Sequence, residues 1–247
     1  MNLGHHSADL HIHSCLSPCG ELEMSPVRIA ERAKNVGLDL IAICDHNSVE
    51  NAGAVLKACS RRNLSVIAGM EITTSEEIHI VGLFPDLHAA LAAQRVVYEN
   101  LPGKNDEEIF GLQVIANEDD EVEGFNPRLL IGATTLSLQE VIDLVHTNGG
   151  LALAAHFDRE SFSLVSQLGF FPENLQLDGI ESASTADCDD IVGKGGNSPT
   201  VICSSDAHRL EEIGGKRTTL YASEPTFVEV GMALKGVNGR RMDIERV

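Results

Sequence analysis

The sequence predicts an α/β protein of repeated β-α units wound into a parallel sheet or barrel, and three observations predict it. Short apolar runs alternate with amphipathic stretches along most of the chain, the pattern left by buried strands and the helices that cover them. Helix punctuation falls between the runs, with Ser25-Pro26 opening one amphipathic stretch and Gly37 closing it. The 247 residues are 43% apolar, with 22 glycines and no tryptophan, which suits a folded core of Ile, Leu, Val and Ala.

Taken in order, residues 8–13 form the first expected strand. A helix runs from the N-cap Ser25 and the first-turn Pro26 to Gly37. The near-continuous apolar run 38–44 is a second strand, 49–62 a helix with Ala52, Val55, Leu56 and Cys59 at helical spacing, and 64–70 a third strand. Residues 78–84 make a fourth strand, followed by a helix over 87–98. The rhythm then weakens across an acidic insertion of about 100–133, which contains Asn105-Asp106-Glu107-Glu108 and Glu118-Asp119-Asp120-Glu121. It reads either as a solvated acidic surface or as a segment lying over a site and selecting substrate. Ser137-Leu138-Gln139-Glu140 is a capping box that opens a helix ending at Gly149-Gly150. Strands five to seven follow at 151–155, 177–180 and 200–204, with helices near 163–168 and 187–192. With no internal repeat or linker, residues 1–247 are expected to form one domain.

A formal net charge of −19 opposes binding to a long nucleic acid, which needs clustered Lys and Arg. No apolar run reaches the roughly 18 residues of a membrane span, and the first residues lack the regions of a secretory signal, so a cytoplasmic protein without a membrane partner is expected. Six cysteines include no paired knuckle of the structural-zinc kind. They read as reduced thiols, with Cys44, Cys59 and Cys203 in apolar segments.

Chemistry enters at the strand ends. Strand one ends in His11-Ile12-His13, whose period-2 spacing points both imidazoles to one side. Strand two runs into Asp45-His46 and strand three into Glu71; strand four carries His79; strand five precedes His156 and strand seven precedes Asp206-Ala207-His208. If all strands point the same way, these groups converge on one rim, where such folds place their sites. Six of the ten histidines share that rim. Imidazoles and carboxylates suit divalent Zn, Mn or Fe, and these eight groups exceed the four or so that one tetrahedral site takes. The other four histidines read as ordinary: His5 and His6 as leader residues, His88 on a helix face and His146 near a helix C-terminus.

Asp9-Leu10-His11-Ile12-His13-Ser14, Cys44-Asp45-His46-Asn47, Gly69-Met70-Glu71, Ala155-His156 and Ser205-Asp206-Ala207-His208 together resemble the motifs of the polymerase and histidinol phosphatase (PHP) family of metal-dependent phosphoesterases. The resemblance covers residues 8–84 and about 134–222. It implies a distorted TIM-like (β/α)7 barrel and two or three divalent metal ions (Mn, Zn or Fe, with Mg possible). The ligands it implies are His11, His13, His46, Glu71, His79, His156, Asp206 and His208. One departure stands out: where family members carry a further ligand after the first motif, this chain reads Ser17-Pro18-Cys19-Gly20-Glu21-Leu22-Glu23. Glu21 is the favoured replacement, with Glu23 and Cys19 as alternatives.

The expected reaction is hydrolysis of a small phosphorylated substrate: a phosphomonoester, a nucleotide or a short oligonucleotide. Metal ions activate water for in-line attack and neutralise phosphate oxygens, and Asp206 is the expected group that orients that water and takes its proton. Arg159 and Arg209, each just after a ligand motif, are the expected phosphate-gripping side chains. Asp45 is expected to hold a histidine tautomer or a strand-end turn. Two other readings compete: an amide or lactone hydrolase of a related barrel type, and a non-catalytic protein that binds a phosphorylated ligand.

Overall fold

The computed structural model describes residues 2–172, 175–182 and 199–244. In chain order its strands are β1 (Gly4–Ile12), β2 (Leu40–Ile43), β3 (Ser65–Thr73), β4 (His79–Phe84), β5 (Val114–Ala116), β6 (Val122–Phe125), β7 (Leu151–Ala154), β8 (Gly179–Ser182), β9 (Thr200–Cys203), β10 (Thr218–Ala222) and β11 (Arg241–Ile244). Its helices are α1 (Pro26–Asn35), α2 (Ala52–Ser60), α3 (Leu87–Glu99), α4 (Glu107–Phe110), α5 (Leu138–Thr147), α6 (Leu164–Leu168) and α7 (Phe227–Leu234). The main sheet has nine strands in the order β11-β10-β1-β2-β3-β4-β7-β8-β9. Its two ends meet: β11 lies against β9, and the Thr218 hydroxyl bonds both the N–H and the carbonyl of Cys203 at 2.8 Å. The result is a distorted, nearly closed α/β barrel.

All seven expected strands are present, and β10 joins them as the antiparallel neighbour of β1, with β11 antiparallel to β10 in turn. The first strand also begins earlier than expected, so His5 and His6 are paired with β10 and are not leader residues. The expected helix at 187–192 lies outside the described residues. No described helix is long and apolar enough to cross a membrane.

One expectation about direction is overturned. The fourth strand runs antiparallel to both β3 and β7. Residues 74–78 are too few for the crossover of about a dozen residues that a parallel pair needs, so the chain turns back on itself. His79 therefore reaches the common rim from the start of its strand, whereas Glu71 reaches it near the end of β3.

The interior is filled by Leu10, Ala42, Val81, Leu153, Ile202 and Leu220, from six different strands, while Ile41 and Ile43 on the other face of β2 pack beneath α1 and α2. This alternation is the period-2 geometry of a strand buried on both faces. On β1 it is interrupted: Ala8 and Leu10 face the interior but Ile12 joins the outer cluster. Register against β2 shifts between Asp9 and Ile12. This bulge sends His11 and His13 inward at the rim, a use of bulges common beside active sites.

The acidic insertion is ordered and pinned to the barrel. Its hairpin, β5 with β6, is tied down by Asn51, whose amide bonds the Val114 carbonyl and the Ala116 N–H at 3.0 Å each. Asp120 accepts hydrogen bonds from the Val27 N–H and the Ser25 hydroxyl, both at 2.7 Å. The N-cap of α1 is thus supplied by the insertion, because Ser25 makes no side-chain cap bond itself. Part of the acidity is surface pairing, Glu118 with Lys57 and Asp119 with Arg61. The far end of the insertion reaches the rim, where Ile131 lines a cavity shared with His46, His79 and His156.

Candidate active site

Glu71 is the centre of the site. It is buried, at 1% exposure, and five imidazoles turn a nitrogen toward its carboxylate. On Oε1 stand His79 at 2.8 Å, His156 at 3.3 Å and His11 at 3.6 Å; on Oε2 stand His46 at 3.0 Å and His13 at 3.4 Å. A carboxylate offers about four lone-pair sites, so five nitrogens exceed what it can accept. Asp206 lies alongside, with Oδ1 at 3.2 Å from His13 Nε2 and 3.5 Å from His11 Nε2.

The outward nitrogens of the first two histidines are anchored, which fixes what points in. His11 Nδ1 faces both oxygens of Glu181, at 3.0 and 3.2 Å. His13 Nδ1 meets the Ser17 hydroxyl at 2.9 Å. That hydroxyl donates its single proton to Asp45 Oδ1 at 2.7 Å, so His13 donates from Nδ1 and its Nε2 is the nitrogen that faces the site. Asp45 also accepts from the Ser14 N–H and hydroxyl at 2.7 and 2.6 Å. Both roles expected of Asp45 thus meet in one carboxylate, which holds the strand-end turn and, through Ser17, the His13 tautomer. Orientation of an imidazole by a carboxylate or hydroxyl behind it is the usual support of a metal ligand.

The donor set fits divalent cations on an observation beyond its composition. His11 Nε2 and His13 Nε2 lie 3.1 Å apart, a distance at which two lone pairs repel unless a proton or cation sits with them. Buried His156 Nδ1 has no hydrogen-bond partner, and His46 Nδ1 and Glu71 Oε2, though 3.0 Å apart, are not aligned to bond each other, a costly state for polar atoms. Three groups of donors are gathered closely enough for a metal ion: His11, His13, Glu71 and Asp206; His46, Glu71 and His79; and His13, Cys19, His46 and His208. His156 joins them through Glu71, so the eight expected residues converge.

Electrostatics follow from that crowding. Burial pushes the His13 and His46 imidazoles down, but Asp206 with Glu71 outweighs it at His13, and Glu71 with the Cys19 side chain outweighs it at His46, so both are raised to about 9. Burial lowers His79, and burial together with the neighbouring His13 charge pulls His208 down to about 3. Although burial opposes it, the facing imidazoles hold Asp206 well below the usual carboxylate range.

Backbone strain collects here as well. Asn47, His156, Phe162 and Asp206 take positive φ angles of 50°, 26°, 55° and 51°, in the region that side chains other than glycine enter at a cost of about 1–3 kcal/mol. Four non-glycine residues in that conformation around one rim mark it as a site.

Arg159 and Arg209 are both near the site but differently placed. The Arg159 guanidinium contacts Asp206 Oδ2 at 2.6 Å and lines the cavity of about 200 Å³ above the cluster. Arg209 lies farther out, in an adjoining groove with Lys216, and pairs with Glu21 at 3.1 Å. The Glu21 carboxylate is thus paired with Arg209, and Cys19, not Glu21, is the first-loop side chain gathered with His13, His46 and His208. A tight turn puts it there: the Gly20 N–H bonds the Ser17 carbonyl at 2.9 Å, and a Cβ at position 20 would meet the Ser14 carbonyl oxygen at 2.6 Å. Glu181 is the residue sequence reasoning missed. It ends no expected strand because the sixth was read one residue short of it.

The chain matches the PHP domain family over residues 9–167 and belongs to it, a family of metal-dependent hydrolases. Among curated relatives, a 5'-3' exoribonuclease of Haemophilus influenzae is 33% identical over 99 residues, 37% of this chain and 35% of that protein. The exoribonuclease Rnm of Salmonella typhimurium is 27% identical over 202 residues, 63% of this chain and 67% of that one. Among solved structures, the lesion-specific endonuclease Q of Pyrococcus furiosus superposes with a TM-score of 0.73 at 20% identity, over 97% of this chain and 58% of that one. The chain thus spans about a third of the Haemophilus relative and little more than half of endonuclease Q. Endonuclease Q has also been solved with a 27-mer duplex. The fold in that protein accepts a long nucleic acid, so the expectation drawn here from net charge does not extend to the fold.

Proposed function

We propose that this chain is a metal-dependent phosphoesterase whose substrate is a small phosphomonoester, nucleotide or short oligonucleotide. The observation that carries the reading is Glu71, a buried carboxylate facing more imidazole nitrogens than it can satisfy. Its ligands are His11, His13, His46, Glu71, His79, His156, Asp206 and His208, with Cys19 as the first-loop donor in place of Glu21. Two or three divalent ions (Mn, Zn, Fe or Mg), when bound, supply an activated water and neutralise phosphate oxygens.

The chain's own residues do the rest. Asp206, held ionised by the facing imidazoles, accepts a hydrogen bond from the attacking water, aligns it and is the group placed to take its proton. Arg159, partly exposed at the cavity, turns its guanidinium to the non-bridging phosphate oxygens. Arg209 and Lys216 extend the positive lining into the adjoining groove of about 720 Å³. The exoribonuclease names of two relatives support a nucleotide or oligonucleotide, and the net charge of −19 supports a short one.

Elemental analysis of the purified protein, coupled to phosphate release from nucleoside monophosphates, sugar phosphates, histidinol phosphate and short oligonucleotides, tests the reading. Two or three metals per chain with turnover are expected. Metal without turnover on any phosphoester would overturn it in favour of carbonyl hydrolysis or a binding role.

A further inference from the structure

The cavity above the metal-ligand cluster is not lined by polar groups alone. Phe162 and Ile131 come to it from different parts of the chain, and both stay partly in solvent, at 41% and 37% exposure. Each is held there by a specific device. Phe162 sits at φ 55°; its carbonyl accepts the His79 N–H at 3.0 Å, and its ring stacks on the His79 imidazole with centroids 4.8 Å apart and planes 22° from parallel. Ile131 is fixed by Asn47, whose amide nitrogen donates at 2.8 Å to the carbonyls on either side of it, Leu130 and Gly132. A strained aromatic residue and a clamped aliphatic one, both left exposed beside a charged centre, give nothing to a phosphate. They do offer burial and stacking to an apolar, flat group next to it.

We propose that Phe162, with Ile131, forms a subsite for a nucleobase, so that the phosphate taken by Arg159 and the cluster is one carried by a nucleotide. This rests on the phosphoesterase reading and narrows it. Phe162 presents a ring to stack on, and His79 backs that ring. The preference follows from stacking and is tolerant of which base is bound.

The test is calorimetric binding to the manganese-loaded protein of two phosphonate isosteres that are not cleaved, one of AMP and one of ribose 5-phosphate. The AMP isostere is expected to bind about tenfold more tightly, within the range of base–aromatic stacking. In Phe162→Ala that ratio falls to within about twofold while ribose-isostere affinity is unchanged, and Phe162→Tyr restores it. Equal affinities in the wild-type protein, or a Phe162→Ala variant that weakens both ligands alike, would overturn the subsite. Because the isosteres are not turned over, loss of the phosphoesterase reading would show separately, as absent phosphate release with the binding ratio still measurable.

Discussion

Two clusters of buried charge, one on the rim of the barrel and one beside β11, are each built around a buried glutamate and satisfied in opposite ways. At the second, Glu229 accepts from Arg240 Nε and Nη2 at 2.7 and 2.8 Å and from the Ser223 N–H and hydroxyl at 3.0 and 2.8 Å. Each of its oxygens has two donors. At the rim, Glu71 faces five imidazoles, yet the two nearest its Oε2, His46 at 3.0 Å and His13 at 3.4 Å, are not aligned to hydrogen-bond it. A fully paired ion pair stabilises a fold; a crowded and unpaired one is kept for a ligand.

That contrast can be broken most forcefully at Asp206. Asp206→Asn keeps the shape and removes the charge that aligns the water, so kcat is expected to fall on the order of 1,000-fold, with metal content reduced and circular dichroism unchanged. Retention of full activity would remove Asp206 from the site. The same substitution strategy at Glu229 should leave phosphate release untouched.

Much of the rim was legible in the sequence because strand ends are local features. His11 and His13 are two residues apart on one strand, and the other donors directly follow or, for His79, open an apolar run, so period and position sufficed. Direction was less accessible, although the short span between Glu71 and His79 held the clue to an antiparallel fourth strand. Glu181 escaped by a single residue of strand length. The β10 strand escaped because what defines it is pairing with β1, a contact of long sequence separation, and β11 escaped with it because its partner is β10. Cys19 was ranked below Glu21 since the turn at Gly20, and not the chemistry of the side chains, decides which of them faces the imidazoles. Nothing in the sequence announces a left-handed Phe162, because sterics disfavour it and only the surrounding structure holds it.

The paired cluster offers the next effect. Arg240→Ala leaves Glu229 buried without its main partner, and the thermal midpoint is expected to fall on the order of 5 °C with metal content and turnover retained. Arg240 holds the Glu229 carboxyl down at about 2, below its unfolded value of about 4.3. The sign is therefore that of a depressed acid: the contribution is complete above the unfolded value and is lost as pH falls from there through 2. Denaturation followed between those limits should show a slope that Glu229→Gln makes shallower. A midpoint unchanged in Arg240→Ala would mean that satisfaction of the pair carries no stability, and the contrast with Glu71 would fail.

Cys19 gives the smallest expected effect and the finest test, since it belongs to the rim cluster yet is exposed. A thiolate there is a softer donor than the imidazoles around it. Cys19→Ser should weaken the most loosely held ion by about tenfold, the lower end of what a supporting contact contributes to metal affinity, and leave the ions gathered at Glu71 in place. Cobalt substitution supplies a readout independent of activity: a sulfur-to-cobalt charge-transfer band in the wild-type protein that Cys19→Ser abolishes. Glu21→Gln, which only frees Arg209, should retain that band. If the band is missing from the wild-type protein, Cys19 is not the first-loop donor, and if Glu21→Gln also lowers metal content where Cys19→Ser does not, the donor is Glu21 and the turn at Gly20 shapes the loop without serving the metal.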